Sequence, residues 1–180
     1  MPLVELAPLL TAQGVLEHAR HEQDAQTARA LQLVAREVLT AGMPLAALPV
    51  ESLHKRWSDR DAALGGCTGL YLGDSARHVR HLYGSLCLEV PAGFEAMPDH
   101  LALLIELLDV YTQAGNITAA RQLVADHFDW LGSYDRRLEA RAAQAAEAPL
   151  FDATTRALLA AGIAWLREIV ARIDELARAL

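Results

Sequence analysis

The sequence predicts an all-α protein, a compact single-domain bundle of about eight helices over residues 1–180. Apolar residues recur at the helical period along almost the whole chain, and no segment sustains strand alternation. Hydrophobic residues make up 53% of the chain, much of it alanine, the strongest helix former. Proline, glycine and short polar residues fall between the periodic runs, where helix ends need them. A chain of 180 residues buries roughly 70% of its unfolded surface, so folding needs neither a disulfide nor a metal.

Leu3–Leu10 reads as a short apolar helix. Residues 15–39 read as one longer helix with Ala28, Leu31, Val34, Ala35 and Val38 on one face, ended by Gly42 and Pro44. Residues 49–63 give a short helix holding Leu53 and Trp57, and the glycine-dense stretch from Gly65 to Gly73 reads as a connection. Asp74 or Ser75 can cap a helix running to about Leu88. After a loop, an apolar helix opening at Pro98 stops at Gly115. Asn116 caps residues 117–131, ended by Gly132, and Ser133 caps residues 134–147, broken by Pro149. Asp152 opens the last helix, with Leu158, Leu159, Ile163, Leu166, Ile169, Val170, Ile173 and Leu176 inward. No repeat of fixed period points to a solenoid.

Charge and cysteine usage narrow the function classes. A net charge of −7 and a pI of about 5.4 argue against nucleic-acid binding, which needs a basic face, and against an anionic membrane surface. They are compatible with a basic partner segment. Cys67 and Cys87 stand in no paired motif, so neither a disulfide framework nor a zinc site is expected. The N-terminus carries Glu5 and lacks the basic region of a signal peptide, and no run approaches 18 apolar residues. The expectation is a cytoplasmic protein with no stable membrane association.

Function is most legible at residues 97–108, M-P-D-H-L-A-L-L-I-E-L-L, and at residues 127–131, H-F-D-W-L. Pro98 suits the first helical position, where its missing N–H costs nothing, and Asp99 in the first turn is favoured by the helix dipole. Leu101, Leu104, Ile105 and Leu108 form a buried stripe behind them. A polar pair held at the end of a rigid, packed element suits a binding site. His127 and Trp130, three apart, are placed on one helix face.

Plainer and sharper readings compete. Asp99-His100 can be drawn as a catalytic dyad, but no nucleophile motif accompanies it, so no catalytic residue is assigned. It can also be a capping carboxylate beside a satisfied histidine. His127 and Trp130 can be a hydrogen-bonded histidine and a core aromatic, with their face packed against the Asp99-His100 end. His18-x-x-His21 and His78-x-x-His81 each lack a third metal ligand, and Arg77 and Arg80 repel a cation from the second pair. No metal or cofactor is expected, and both pairs read as solvated faces. Gly65-Gly66-Cys67-Thr68-Gly69 is no phosphate loop. Trp57 and Trp165 read as core or groove aromatics.

Pro98, Asp99-His100, Glu106 on the apolar helix, then His127, Trp130 and Leu131 together resemble the signature of the TorD/DmsD/NarJ family of redox-enzyme maturation chaperones. The resemblance is clearest from about residue 83 to about residue 166, and the proline touching the aspartate is similar to the NarJ-like branch. It implies an all-helical TorD-like fold and no catalysed reaction. It also implies a partner: the leader or N-terminal segment of a molybdenum-containing oxidoreductase catalytic subunit, held by a monomer or homodimer for cofactor insertion before export or membrane docking. A twin-arginine leader presents two guanidinium groups and an apolar stretch. Carboxylates accept guanidinium in bidentate fashion and an apolar groove takes the rest. In this reading Asp99 supplies the charge, with Glu106 or Asp109 as further carboxylates, and Tyr83 and Trp130 line the groove; the expected client-binding residues are Pro98, Asp99, His100, Glu106, Tyr83, His127 and Trp130. A helical scaffold or regulatory module without leader specificity is the alternative. After the Tyr-x-x-Leu piece the chain runs Tyr83-Gly84-Ser85-Leu86-Cys87 where an aromatic is common, and the first 80 residues carry no motif that matches the family pattern.

Overall fold

The computed structural model describes residues 2–56 and 67–180. In chain order they form a 3₁₀ helix (Leu3–Leu10), α1 (Ala12–His21), α2 (Ala25–Glu37), a 3₁₀ turn (Glu51–Leu53), α3 (Asp74–Ser85), α4 (Leu101–Gln113), α5 (Ile117–His127), α6 (Leu131–Glu147) and α7 (Ala153–Arg178). The all-α prediction holds. Among the described residues, extended pairing is confined to one isolated antiparallel bridge, Val50 with His100. Trp57 and the Gly65-Gly66 pair lie outside the described residues.

Contacts divide the chain into two compact units. The first combines the described residues up to Leu48 with Leu131–Ala179. Its opening helix is 3₁₀ rather than α, with Pro8 inside it and Leu6 and Leu10 buried. Thr11 then starts α1, its hydroxyl donating to the Pro8 carbonyl (3.0 Å) and accepting from the Gly14 N–H (3.0 Å). The single helix expected over 15–39 is two helices. Asp24 accepts from the Thr27 N–H at 2.6 Å and starts α2 afresh, a side-chain cap that needs no glycine or proline to announce it. The expected face of α2 is largely borne out: Leu31, Val34, Ala35 and Val38 are buried.

Gly132 and Ser133 do not divide two helices as expected; both lie in the first turn of α6. The chain breaks earlier, at Phe128–Trp130, because α5 ends at His127. Burial of Leu131, Tyr134, Leu138 and Ala145 outweighs the helix cost of Gly132, about 1 kcal/mol. Asp152 caps α7 as expected, accepting from the Thr155 N–H at 2.7 Å. Leu158, Leu159, Ile163, Leu166, Val170 and Ile173 are buried, while Ile169 and Leu176 are half-buried. Gly162 lets α7 close on α2: a Cβ there would lie 2.5 Å from Val34 Cγ2 and 2.7 Å from the Ala30 carbonyl oxygen.

The second unit, Pro49–Trp130 with Leu180, holds α3, α4 and α5. Asp74 is the first residue of α3 and Gly73 takes the capping position; Asp74 instead pairs with Arg77. Most of α4 is buried, including Leu101, Leu103, Leu104, Ile105, Leu107 and Leu108, while Glu106, Val110 and Gln113 are exposed. Gly115, at φ +68°, ends α4 and Asn116 caps α5 through the Ala119 N–H (3.1 Å), both as expected.

Candidate functional site

The start of α4 differs from its sequence reading. Pro98 and Asp99 are not in the helix; they form a turn closed by His100 N–H donating to the Met97 carbonyl at 3.0 Å. The N-cap is His100, whose Nδ1 accepts from the Ala102 N–H at 3.2 Å. The dipole argument for Asp99 therefore falls. The reason is pairing that the local sequence does not announce. Leu101 N–H donates to the Pro49 carbonyl (2.8 Å) and Glu51 N–H to the Asp99 carbonyl (3.2 Å), which clamps the turn to the segment before the Glu51–Leu53 helix.

Asp99 is fully buried. Its Oδ2 accepts from the Ser52 N–H at 2.6 Å and from the Ser52 hydroxyl. That hydroxyl accepts in turn from the Gly73 N–H at 3.2 Å. Oδ1 has no partner. Burial pushes the carboxyl above its usual range against the Ser52 hydrogen bonds that favour the charged form. His100, also buried, is held neutral, its pKa pushed down to about 3 by desolvation, and Phe94 meets its ring edge-on at 5.1 Å. Aspartate and histidine thus turn to different partners and do not form the dyad.

Ser52 leads directly to a second cluster. Glu51 is fully buried, with Oε2 at 2.7 Å from His127 Nδ1 and Oε1 in an ion pair with Lys55 Nζ at 2.9 Å. Lys55 Nζ also pairs with Asp129 Oδ1 (2.6 Å) and donates to the Asp126 carbonyl (2.6 Å). Burial works against the lysine charge, but the hydrogen bonds to Asp129 and Glu51 outweigh it and hold the pKa above the usual value. His127 Nε2 faces His78 Nδ1 at 2.9 Å. Trp130 Nε1 donates to the His127 carbonyl at 2.7 Å, and its ring stacks on His54 at 5.1 Å.

His127 is the last residue of α5 and Trp130 lies in the turn beyond it, so the two do not share a helix face. Their link to Asp99 is indirect: Glu51 takes His127 and the next residue, Ser52, takes Asp99. Tyr83 is buried on α3, its hydroxyl 3.5 Å from the Leu103 carbonyl and its pKa pushed up to about 12 by desolvation and then by Glu106. Of the seven residues singled out in the sequence, Pro98, Asp99, His100, Tyr83, His127 and Trp130 are buried and Glu106 is exposed. His78 does more than face solvent. Glu51, Ser52, Lys55 and His78 join the cluster although the sequence reading gave none of them a role there. Only the one-turn spacing of Glu51 and Lys55 hinted at a pair.

Among the described residues, no group of three or more histidine, cysteine or acidic side chains is arranged to hold a metal ion. Nor is any described helix long and apolar enough to cross a membrane.

Comparison with curated proteins and with solved structures gave no match. The family model described as nitrate reductase delta subunit matches residues 5–144. That span starts near the N-terminus, so the first 80 residues, where no motif is legible, take part in the match. It also contains the whole Glu51–Asp99–His127 cluster. The chain belongs to the nitrate reductase delta subunit family, within the TorD/DmsD/NarJ class of molybdoenzyme maturation chaperones, and its general role is molybdoenzyme assembly.

Proposed function

We propose that the protein binds the leader or N-terminal segment of a molybdenum-containing oxidoreductase catalytic subunit in the cytoplasm. It holds that subunit for cofactor insertion and catalyses no reaction itself, with residues 1–180 acting as one chaperone domain. In this reading Pro98, Asp99, His100, Tyr83, His127 and Trp130 shape the binding region and Glu106 meets the client directly. The observation that carries it is the setting of Glu106, an exposed carboxylate on a helix whose leucines are all buried, near enough to Tyr83 to raise the pKa of its hydroxyl. Partial desolvation holds its pKa above the usual carboxylate value. A carboxylate at such an apolar margin gains by accepting a guanidinium while the client's apolar residues cover the surroundings.

Titration calorimetry of the full chain with a synthetic peptide of the client's first residues tests this. Wild type should bind. Glu106→Gln should lose about 1.5–3 kcal/mol, the worth of a hydrogen bond to a charged group, or roughly ten- to a hundredfold in affinity. Its melting temperature should not move, because the side chain is exposed. A wild-type protein that ignores the peptide, or a Glu106→Gln variant that binds as tightly, would sink the reading.

A further inference from the structure

The His78–His127 contact joins α3 to the end of α5, and its chemistry admits few proton states. His127 Nδ1 lies 2.7 Å from the Glu51 carboxylate, so that nitrogen carries a proton and donates. His127 Nε2 and His78 Nδ1 then face each other at 2.9 Å, with room for one proton between them. With both rings neutral, His78 Nδ1–H donates to His127 Nε2. With one cation, either ring supplies the proton and the other accepts it. With two cations, both facing nitrogens carry protons and the contact cannot persist.

We propose that this pair is a proton-operated latch: one proton shared between the rings holds α3 against the α5 end, and protonation of both rings releases it. The surroundings on balance oppose a charge on His78. His78 is partly desolvated and faces His127, and His81 one turn along α3 adds to the repulsion, while Asp126 and Glu51 oppose it. Lys55, on the other oxygen of Glu51, and Asp129, paired with Lys55, complete the charged groups around the site. The rings are tilted by 31° with centroids 4.9 Å apart, and His78 is exposed on α3 while His127 is buried beside Glu51, so His78 is the ring with solvent to move into. The latch acts on the second unit's own structure and does not rest on the client reading.

Two measurements on the full chain test it. Nitrogen-15 spectra of labelled histidine rings, followed from about pH 7.5 to about pH 5, should show His78 and His127 titrating as one coupled pair across the range where histidine changes charge. Amide exchange, corrected for its intrinsic pH dependence, should show α3 losing protection over the same range. His78→Gln supplies the control. Its amide can donate to a neutral His127 or accept from a charged one, so α3 protection should then be the same at both pH values. Independent titration of the two rings overturns the proposal, and so does wild-type α3 protection that stays constant with pH. If His78→Gln loses protection as the wild type does, the second proton is not the trigger.

Discussion

Asp99→Ala should destabilise the protein, and the structure sets the size. The substitution removes the acceptor for two donors, the buried Ser52 N–H at 2.6 Å and the Ser52 hydroxyl. The hydroxyl can rotate, and it keeps its bond from the Gly73 N–H. The N–H cannot move, and an unsatisfied buried donor costs about 1–3 kcal/mol. Removing a carboxylate whose Oδ1 has no partner returns part of that. The net expectation is a loss of about 2 kcal/mol, or roughly 4–8 °C in melting temperature for a chain of this size. Asp99→Asn keeps a carbonyl to accept from Ser52 and should cost less than half as much. The sign of the pH dependence separates the two roles of the group. Burial raises the folded pKa above the usual aspartate value of 3.8. The stability that Asp99 contributes is therefore fully present below that value and lost as pH rises through the folded pKa. The asparagine variant lacks this slope and should gain on wild type between acid and neutral pH. Urea unfolding followed by circular dichroism at pH values from about 4 to about 7 reads both quantities. An Asp99→Ala variant within about 0.5 kcal/mol of wild type, the range of neutral surface changes, would refute the account of Asp99 as the strut of the Glu51–Leu53 segment.

Other perturbations have equally definite outcomes. Glu51→Gln leaves His127 and Lys55 facing a neutral amide inside the second unit and should cost about 3–5 kcal/mol, the range for breaking a buried pair, read as a fall in urea midpoint. His100→Asn replaces one N-cap by a better one that does not titrate. The folded pKa of His100 is depressed from 6.5 to about 3, so its contribution is present above pH 6.5 and lost as pH falls toward the folded value. Wild type should lose up to about 1.4 kcal/mol per pH unit in that window from this group, and the variant should show a correspondingly shallower slope in urea titrations. Gly162→Ala should destabilise by about 1–3 kcal/mol through overpacking, although alanine is the better helix former, because the new methyl meets the Ala30 carbonyl and Val34; a rise in melting temperature would contradict the packing of α7 on α2.

Sequence by itself determined the helical class, because the apolar period of each run is a local property of its residues. It also placed the caps at Asn116 and Asp152 and the stop at Gly115, where one side chain or one missing Cβ acts within a few positions. And it carried the resemblance to the family, through Pro98-Asp99-His100 with His127 and Trp130. Tertiary structure decided what those residues do. Asp99 is equally suited to a helix dipole and to a distant backbone, and only the fold brings Ser52, 47 positions away, to its carboxylate. His127 finds Glu51 across 76 positions and His78 across 49, separations over which no periodicity speaks. The break at Phe128–Trp130 was hidden for the same reason: Gly132 is the stronger local signal, but burial of Leu131 and Tyr134 draws it into α6. Local propensities amount to a kilocalorie or less per residue. Satisfying a buried carboxylate or histidine is worth several times that, so the residues that carry the most charge into the core were the ones whose roles the sequence left open.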